Sequence, residues 1–291
     1  MLTIIWGTKH PFEKEWEKDW LSLFFNSLDT EYNIINLTNI NQIYNNALIV
    51  INHDINYMAY LYQYEQKNIP FAVIHLSDEW TNDNTEFYNY KMCKFVYRNY
   101  FHPRFKLDKI NFFLLGYKKE FWKDYNGVDP MNITTQEREY KWSFAGTPKH
   151  TRHIKLDKFK SLEPNKVVWE YGDSFGIQTT GLKTNEYREL MLNSTFIICL
   201  EGNYSVDSFR VCEALECGCI PVVVSINYWT SILNMNPPFI VTDSWDDNFN
   251  KINAMTVNEI EEMRIKCVQF WNEYKANLKN GLKTKIDMYL K

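Results

Sequence analysis

The residues best suited to chemistry cluster between Glu201 and Glu213, in the stretch EGNYSVDSFRVCE. Ser205 and Ser208 offer hydroxyls, Asp207 a carboxylate and Arg210 a guanidinium, while Gly202 lets the backbone bend. Arg210 and Glu213 are three residues apart and share one face of a helix. Val211, Ala214 and Leu215 take the opposite face. A cation in the first turn opposes the helix dipole, so Arg210 calls for another reason to be there. A bound diphosphate supplies one, through charge-assisted, bidentate hydrogen bonds. Glu213, one turn deeper, is suited to accept from a ribose diol. The same spacing also fits an Arg–Glu pair that merely decorates a surface helix, and the residues alone leave both readings open.

The elements around this stretch position it. Thr195–Leu200 is a short β-rich apolar run, as a strand buried on both faces would be. Glu201–Ser205 is a polar loop at its C-terminal end, and Asp207 or Ser208 can cap the next helix. Gly218 ends that helix, and Cys219–Val224 is a second buried strand. In open α/β sheets ligands bind above the carboxyl ends of the strands, and a helix N-terminus there favours an anion.

Other candidates follow predicted strands. Tyr140–Ala145 reads as a strand. Gly146 after it permits close backbone approach, and Arg152 falls in the first turns of a helix, with Lys149, His150 and His153 nearby. Asp78 and Glu79 follow the apolar run Phe71–Leu76 and read either as a catalytic acid pair or as a helix cap or solvated turn. Arg98, late in an apolar strand, needs a partner, and Asp78 or Glu79 can supply it. Asp54 and His53 follow strand 47–52 as further cleft residues. No D-x-D triplet is present, and Asp246-Asp247 beside Trp245 reads as a helix start. Cations rather than a metal, Arg210 first and Arg152 second, are therefore expected to neutralise a leaving group.

Along the chain, strands are expected at 2–7, 33–37, 47–52, 71–76, 93–98 and 110–116, with helices at 12–28 and 55–67. Trp16, Trp20, Phe24 and Leu28 form one stripe of the first helix. The polar stretch Lys118–Glu139 marks a boundary, dividing the chain into 1–135 and 136–291. The second half continues with strand 166–171, helix 185–193, the unit described above, a helix near 228–234, strand 239–242 and a final helix. Thr256 and Glu259 form a capping box for that last helix. Its stripe is Ile260, Met263, Cys267, Phe270, Trp271 and Tyr274.

The chain has 291 residues, 45% of them hydrophobic, with a net charge of −4. That charge argues against a nucleic-acid partner, which needs a basic surface. Neither a signal peptide nor a membrane span is evident. No C-x-x-C pair occurs among the six cysteines, which read as small buried hydrophobes in a reducing compartment. A soluble, cytoplasmic protein is expected.

The sequence Asp207-Ser208-Phe209-Arg210, continuing through Glu213-Ala214-Leu215-Glu216 to Gly218-Cys219-Ile220-Pro221-Val222-Val223, resembles the C-terminal signature of exostosin-family glycosyltransferases. Asn193-Ser194-Thr195-Phe196 and Gly202-Asn203 belong to the same pattern. Trp142–Gly146 with Arg152 is a second block, and His75–Glu79, Arg98–Tyr100 and Leu115–Tyr117 form a weaker third. The resemblance implies an α/β GT-B fold, two Rossmann-like doubly wound domains facing across a cleft. The acceptor would bind the N-terminal domain and the nucleotide sugar the C-terminal one, with the last helix returning to the first domain. It implies an inverting transferase, with Asp78, in preference to its neighbour Glu79, as base and no resident cofactor or metal. The donor would be a UDP-sugar and the acceptor a carbohydrate. Animal exostosins are membrane-anchored, and this chain departs from them. Soluble forms of this length occur in bacteria and large DNA viruses, so a virus-encoded enzyme would work in the host cytoplasm. Two alternatives stay open: a fucosyl-type transferase using a GDP-sugar, and a non-catalytic carbohydrate- or nucleotide-binding module.

Overall fold

The continuous apolar runs of the sequence become parallel strands, as burial on both faces requires. This is seen in a computed structural model that describes every residue except 8–15, 53–56, 106, 150, 172–180 and 291. Two compact units result, residues 1–115 with 275–291, and residues 116–274.

In chain order the first unit contains β1 (Leu2–Trp6), α1 (Lys18–Phe25), β2 (Tyr32–Asn36), β3 (Ala47–Asn52), α2 (Tyr57–Gln66), β4 (Phe71–Leu76), β5 (Cys93–Arg98) and β6 (Ile110–Phe112). Its sheet runs β2-β1-β3-β4-β5-β6, all parallel. The β3 and β4 strands are buried along their whole length. Tyr60, Leu61 and Tyr64 of α2 pack on this sheet with Ile49, Val73 and Phe87. Helix α1 buries Trp20, Leu21, Phe24 and Phe25. Trp16 and Leu28 are half-buried, and residues 12–15 of the expected helix lie outside the described ones. The strand expected at 110–116 stops at Phe112, because its neighbour β5 ends at Arg98, the partner of Phe112.

The second unit contains β7 (Tyr140–Gly146), α3 (Arg152–Asp157), β8 (Asn165–Trp169), α4 (Thr184–Leu192), β9 (Ser194–Ile198), α5 (Phe209–Glu216), β10 (Ile220–Val224), β11 (Ile240–Thr242) and α6 (Trp245–Ala254). Its sheet runs β11-β10-β9-β7-β8, again parallel. The helix expected near 228–234 is a single π-helical turn, Tyr228–Ile232. The stretch 118–139 belongs with this unit. Buried cations rather than an apolar stripe fasten it: Arg188 Nη1 donates to the Phe121 carbonyl at 2.8 Å, and Arg264 Nη1 to that of Met131 at 3.0 Å. That is why it lacks periodicity.

The last helix, α7 (Val257–Tyr289), opens with the expected capping box: the Thr256 amide donates to Glu259 Oε2 at 2.8 Å, and the Glu259 amide to Thr256 Oγ1 at 3.3 Å. Ile260, Cys267 and Trp271 are buried in the second unit. From Lys275 onward the helix belongs to the first unit, where Leu282 and Ile286 are buried.

Candidate functional site

Counted within the second unit, the strand order is 2-1-3-4-5, and the topology switches between β7 and β9. The chain leaves β7 toward β8 on one side and β9 toward β10 on the other. The carboxyl ends of β7 and β9 therefore diverge, leaving the crevice where such sheets bind ligands. Gly146 closes β7, and the loop 199–208 leads from β9 to the N-terminus of α5.

Arg210 occupies this switch point. Its guanidinium carbon lies 5.0 Å from the centre of the Phe144 ring, and Nη1 donates to the Leu200 carbonyl at 3.3 Å. A Cβ at Gly146 would stand 2.9 Å from Arg210 Nη2, so only glycine lets the guanidinium lie there. The Nε atom of Arg210 is buried without a hydrogen-bond partner among the described residues, and so is Ser208 Oγ. Ser208 is the N-cap of α5, yet its hydroxyl makes no cap hydrogen bond. A hydroxyl at the N-cap and a guanidinium in the first turn, both with unmet hydrogen-bonding capacity among the described residues, thus belong to the positive end of one helix. An anion with several acceptor oxygens satisfies all three.

The other predicted residues build the loops around this point. Arg152 is buried; its Nη2 donates to the Glu201 carbonyl at 2.5 Å and its Nη1 to the Thr147 carbonyl at 3.1 Å. It ties the loop after β7 to the loop after β9. Lys149 Nζ reaches Asn203 Oδ1 at 3.1 Å, and Lys155 pairs with Glu201 at 2.8 Å. The Gly202 amide donates to the Ser205 carbonyl at 2.9 Å, and the Asp207 amide to Ser205 Oγ at 3.1 Å. Asp207 is buried, and His150 lies outside the described residues.

Glu213 is buried one turn into α5. Its Oε2 accepts from the Tyr187 hydroxyl at 3.0 Å, and Oε1 from the Lys118 amide at 3.4 Å. Burial holds its carboxyl above the usual range, although Lys118 and Arg210 pull the other way. The folded protein therefore keeps this proton to higher pH than the unfolded chain, and the group costs stability increasingly as pH rises past the unfolded carboxylate value. Glu213→Gln should accordingly raise Tm at pH 8, with the gain vanishing near pH 4. If the carboxylate meets a ligand, nucleotide affinity should fall about tenfold at the same time. Thermal melts at the two pH values, paired with titration calorimetry, check this; an unchanged Tm at pH 8 contradicts the burial argument.

In the first unit the acidic pair after β4 separates. Asp78 is buried, its Oδ2 bonded by Arg98 Nη2 at 3.2 Å and its Oδ1 by the Asn82 amide at 2.8 Å. It carries out the turn-capping and ion-pairing roles weighed in the sequence. Glu79 is half-buried at the same sheet edge. Arg98 is buried, stacks 3.9 Å from the Phe105 ring centre and donates from Nη1 to the Tyr88 hydroxyl at 2.9 Å. Asp54 and His53 lie outside the described residues. His75, Asp78 and Asp83 bring ligand atoms within 4.8 Å of one another. The Arg98 guanidinium on Asp78 opposes a second cation there. All six cysteines are buried and unbridged, and burial pushes the thiols of Cys93 and Cys199 up to about 12.

Sequence reasoning missed Tyr187, Lys118 and Arg138. Tyr187 and Glu213 are 26 residues apart, so no local spacing joins them.

A family model, the exostosin GT47 domain, matches residues 98–246. An Arabidopsis thaliana protein described as a "probable glycosyltransferase" is 31% identical over 158 residues, 54% of this chain. The chain spans 28% of that relative's length. Among solved structures, Anabaena HepE in complex with UDP superposes with a TM-score of 0.60 at 9% identity, covering 99% of this chain and 100% of that one. An α1,3-fucosyltransferase superposes with a TM-score of 0.53 at 14% identity, covering 96% and 90%. At such identities these likenesses speak for the fold alone, the GT-B arrangement of two parallel-sheet α/β units. No helix among the described residues is long and apolar enough to cross a membrane. The matched segment holds β7, the loop after β9 and α5 with Arg210, and on that match the chain belongs to the exostosin GT47 family.

Proposed function

We infer that this chain is a glycosyltransferase that moves a sugar from a nucleotide sugar, a UDP-sugar, to a hydroxyl of a carbohydrate acceptor with inversion at the anomeric carbon. The observation that carries the reading is Arg210 at the β7–β9 switch point, its Nε, like the uncapped hydroxyl of Ser208, buried without a hydrogen-bond partner among the described residues. Breaking the anomeric C–O bond places charge on a diphosphate leaving group, and a preoriented cation and helix N–H groups stabilise it without reorganising. In this reading no metal is required. Gly146 gives the guanidinium its place, while Arg152, Gly202, Ser205 and Asp207 shape the surrounding loops. Glu213, held by Tyr187, takes the ribose diol. The second unit is the donor unit and the first the acceptor unit.

Inversion needs a base that takes the acceptor proton. Asp78 is committed to Arg98, so we assign that role to Glu79, on the same turn and half-buried. Buried, unbridged thiols suit work in a reducing compartment such as the cytoplasm. UDP as donor nucleotide is in keeping with the UDP complexes of HepE, whose fold this chain shares. Incubating the protein with a panel of UDP- and GDP-sugars, scored for donor consumption and nucleotide affinity, tests the reading. UDP is expected to bind more tightly than GDP, with slow hydrolysis of one UDP-sugar. Tighter GDP binding points to a fucosyl-type donor. Binding with no donor consumed by any acceptor makes the chain a binding module.

A further inference from the structure

We propose that the first unit holds a saccharide pocket of its own, in which Asp83 accepts hydrogen bonds from sugar hydroxyls. The inference rests on the glycosyltransferase reading, whose acceptor this pocket would take. The pocket has a volume of about 580 Å³, and Thr81, Asn82, Asp83, Asn84, Arg104 and Phe105 are among its lining residues. Ligand clefts commonly span about 300–1,000 Å³.

A directional chain of hydrogen bonds prepares Asp83. Arg98 Nη1 donates to the Tyr88 hydroxyl at 2.9 Å, and a guanidinium cannot accept. Asp83 as a carboxylate only accepts, so His75 carries its proton on Nε2 and donates to Asp83 Oδ2 at 2.8 Å. In this neutral tautomer Nδ1 accepts the phenolic proton of Tyr88, 2.7 Å away. Burial favours this neutral form of the imidazole. The far end of the chain is anchored, since Arg98 is buried and paired with Asp78. Asp83 is thus a carboxylate oriented from behind, on the wall of a pocket.

The remaining lining selects the ligand class. Among the described lining residues Asp83 and Glu86 outnumber the one cation, Arg104, which already donates to the Thr81 carbonyl. Among these described residues a phosphate or a nucleic acid would meet no surplus of positive charge. The amides of Asn82 and Asn84 and the hydroxyl of Thr81 each both donate and accept, as an uncharged polyol requires.

The test uses the full chain and ligand-observed saturation-transfer NMR with xylotetraose, cellotetraose and galactotetraose, with UDP titrated in parallel. At least one tetrasaccharide should bind, with a millimolar dissociation constant. Asp83→Asn should weaken it about tenfold, and Asn82→Ala at the exposed rim about threefold, with UDP affinity unchanged. The rim variant keeps the test alive should Asp83→Asn fail to fold. Saccharide binding unaltered in the folded variants overturns the proposal. UDP binding without any saccharide binding also overturns it, while leaving the donor site standing. Saccharide binding that responds to both variants, without UDP binding, supports the pocket and removes the donor reading instead.

Discussion

Arg210→Ala is expected to lower UDP affinity about a hundredfold while leaving the melting temperature within a few degrees of the parent. Each charge-assisted hydrogen bond between a guanidinium and a phosphate contributes about 1.5–3 kcal/mol. One strong contact or two modest ones reach the 2.7 kcal/mol or so that a hundredfold change needs. The fold loses little, because the described side chain makes one hydrogen bond, to the Leu200 carbonyl, and lies over Phe144. A second variant approaches the same interaction from the opposite side. In Gly146→Ala the new methyl stands 2.9 Å from Arg210 Nη2 and 3.1 Å from Phe144 Cζ, so the guanidinium must move aside. UDP binding should then fall about tenfold with Arg210 still present. Calorimetric titration of both variants is the check. Parent-like affinity in Arg210→Ala would remove the diphosphate from this position, and with it the physical case for the donor site.

The residues that the sequence placed together are those joined by a local period. Arg210, Glu213 and the helix cap lie within two turns of one helix, and their common face follows from 3.6 residues per turn. The buried strands were legible for the same reason, since β3, β4 and β5 each stand at the expected residues. What stayed hidden is long-range pairing. Arg152 opens a helix after a strand, which is legible locally; that it donates to the Glu201 carbonyl, 49 residues away, is not. Asp78 and Glu79 are adjacent and chemically alike, and the family pattern favours Asp78 as the base with no local feature to show which of them is engaged. Arg98, on the neighbouring strand β5, makes the separation by pairing with Asp78. Similarly, 118–139 has the composition of a linker, and only the arginines that reach it from α4 and α7 show that it is packed.

Arg138 shows how large a hidden long-range term becomes. Its guanidinium closes the C-terminal ends of two helices at once. Nη1 donates to the carbonyls of Leu192 at 3.1 Å, the last residue of α4, and of Ser194 at 3.0 Å, just past it. Nη2 donates to those of Cys217 at 2.9 Å and Gly218 at 3.1 Å, past the end of α5. These are regions where a helix leaves carbonyls without partners and presents partial negative charge. Gly218, at a φ of +63°, makes the approach possible: a Cβ there would stand 2.6 Å from the Pro130 carbonyl oxygen and 3.3 Å from Arg138 Nη2. Arg138→Met would fill the volume but leave buried carbonyls unpaired, at a cost of about 3–5 kcal/mol. For a chain of this size that is a fall in Tm of about 10 °C. Arg138→Lys, with a point charge and three donors, should recover less than half of the loss, because an ammonium cannot span both helix ends. Thermal melts of the two variants distinguish this from simple charge removal, in which lysine would restore stability in full. A methionine variant that melts with the parent would mean that the helix ends hold without this cation. Since α5 carries Ser208 and Arg210 at its other end, the folded fraction of Arg138→Met should still bind UDP at low temperature, which separates the scaffold from the site.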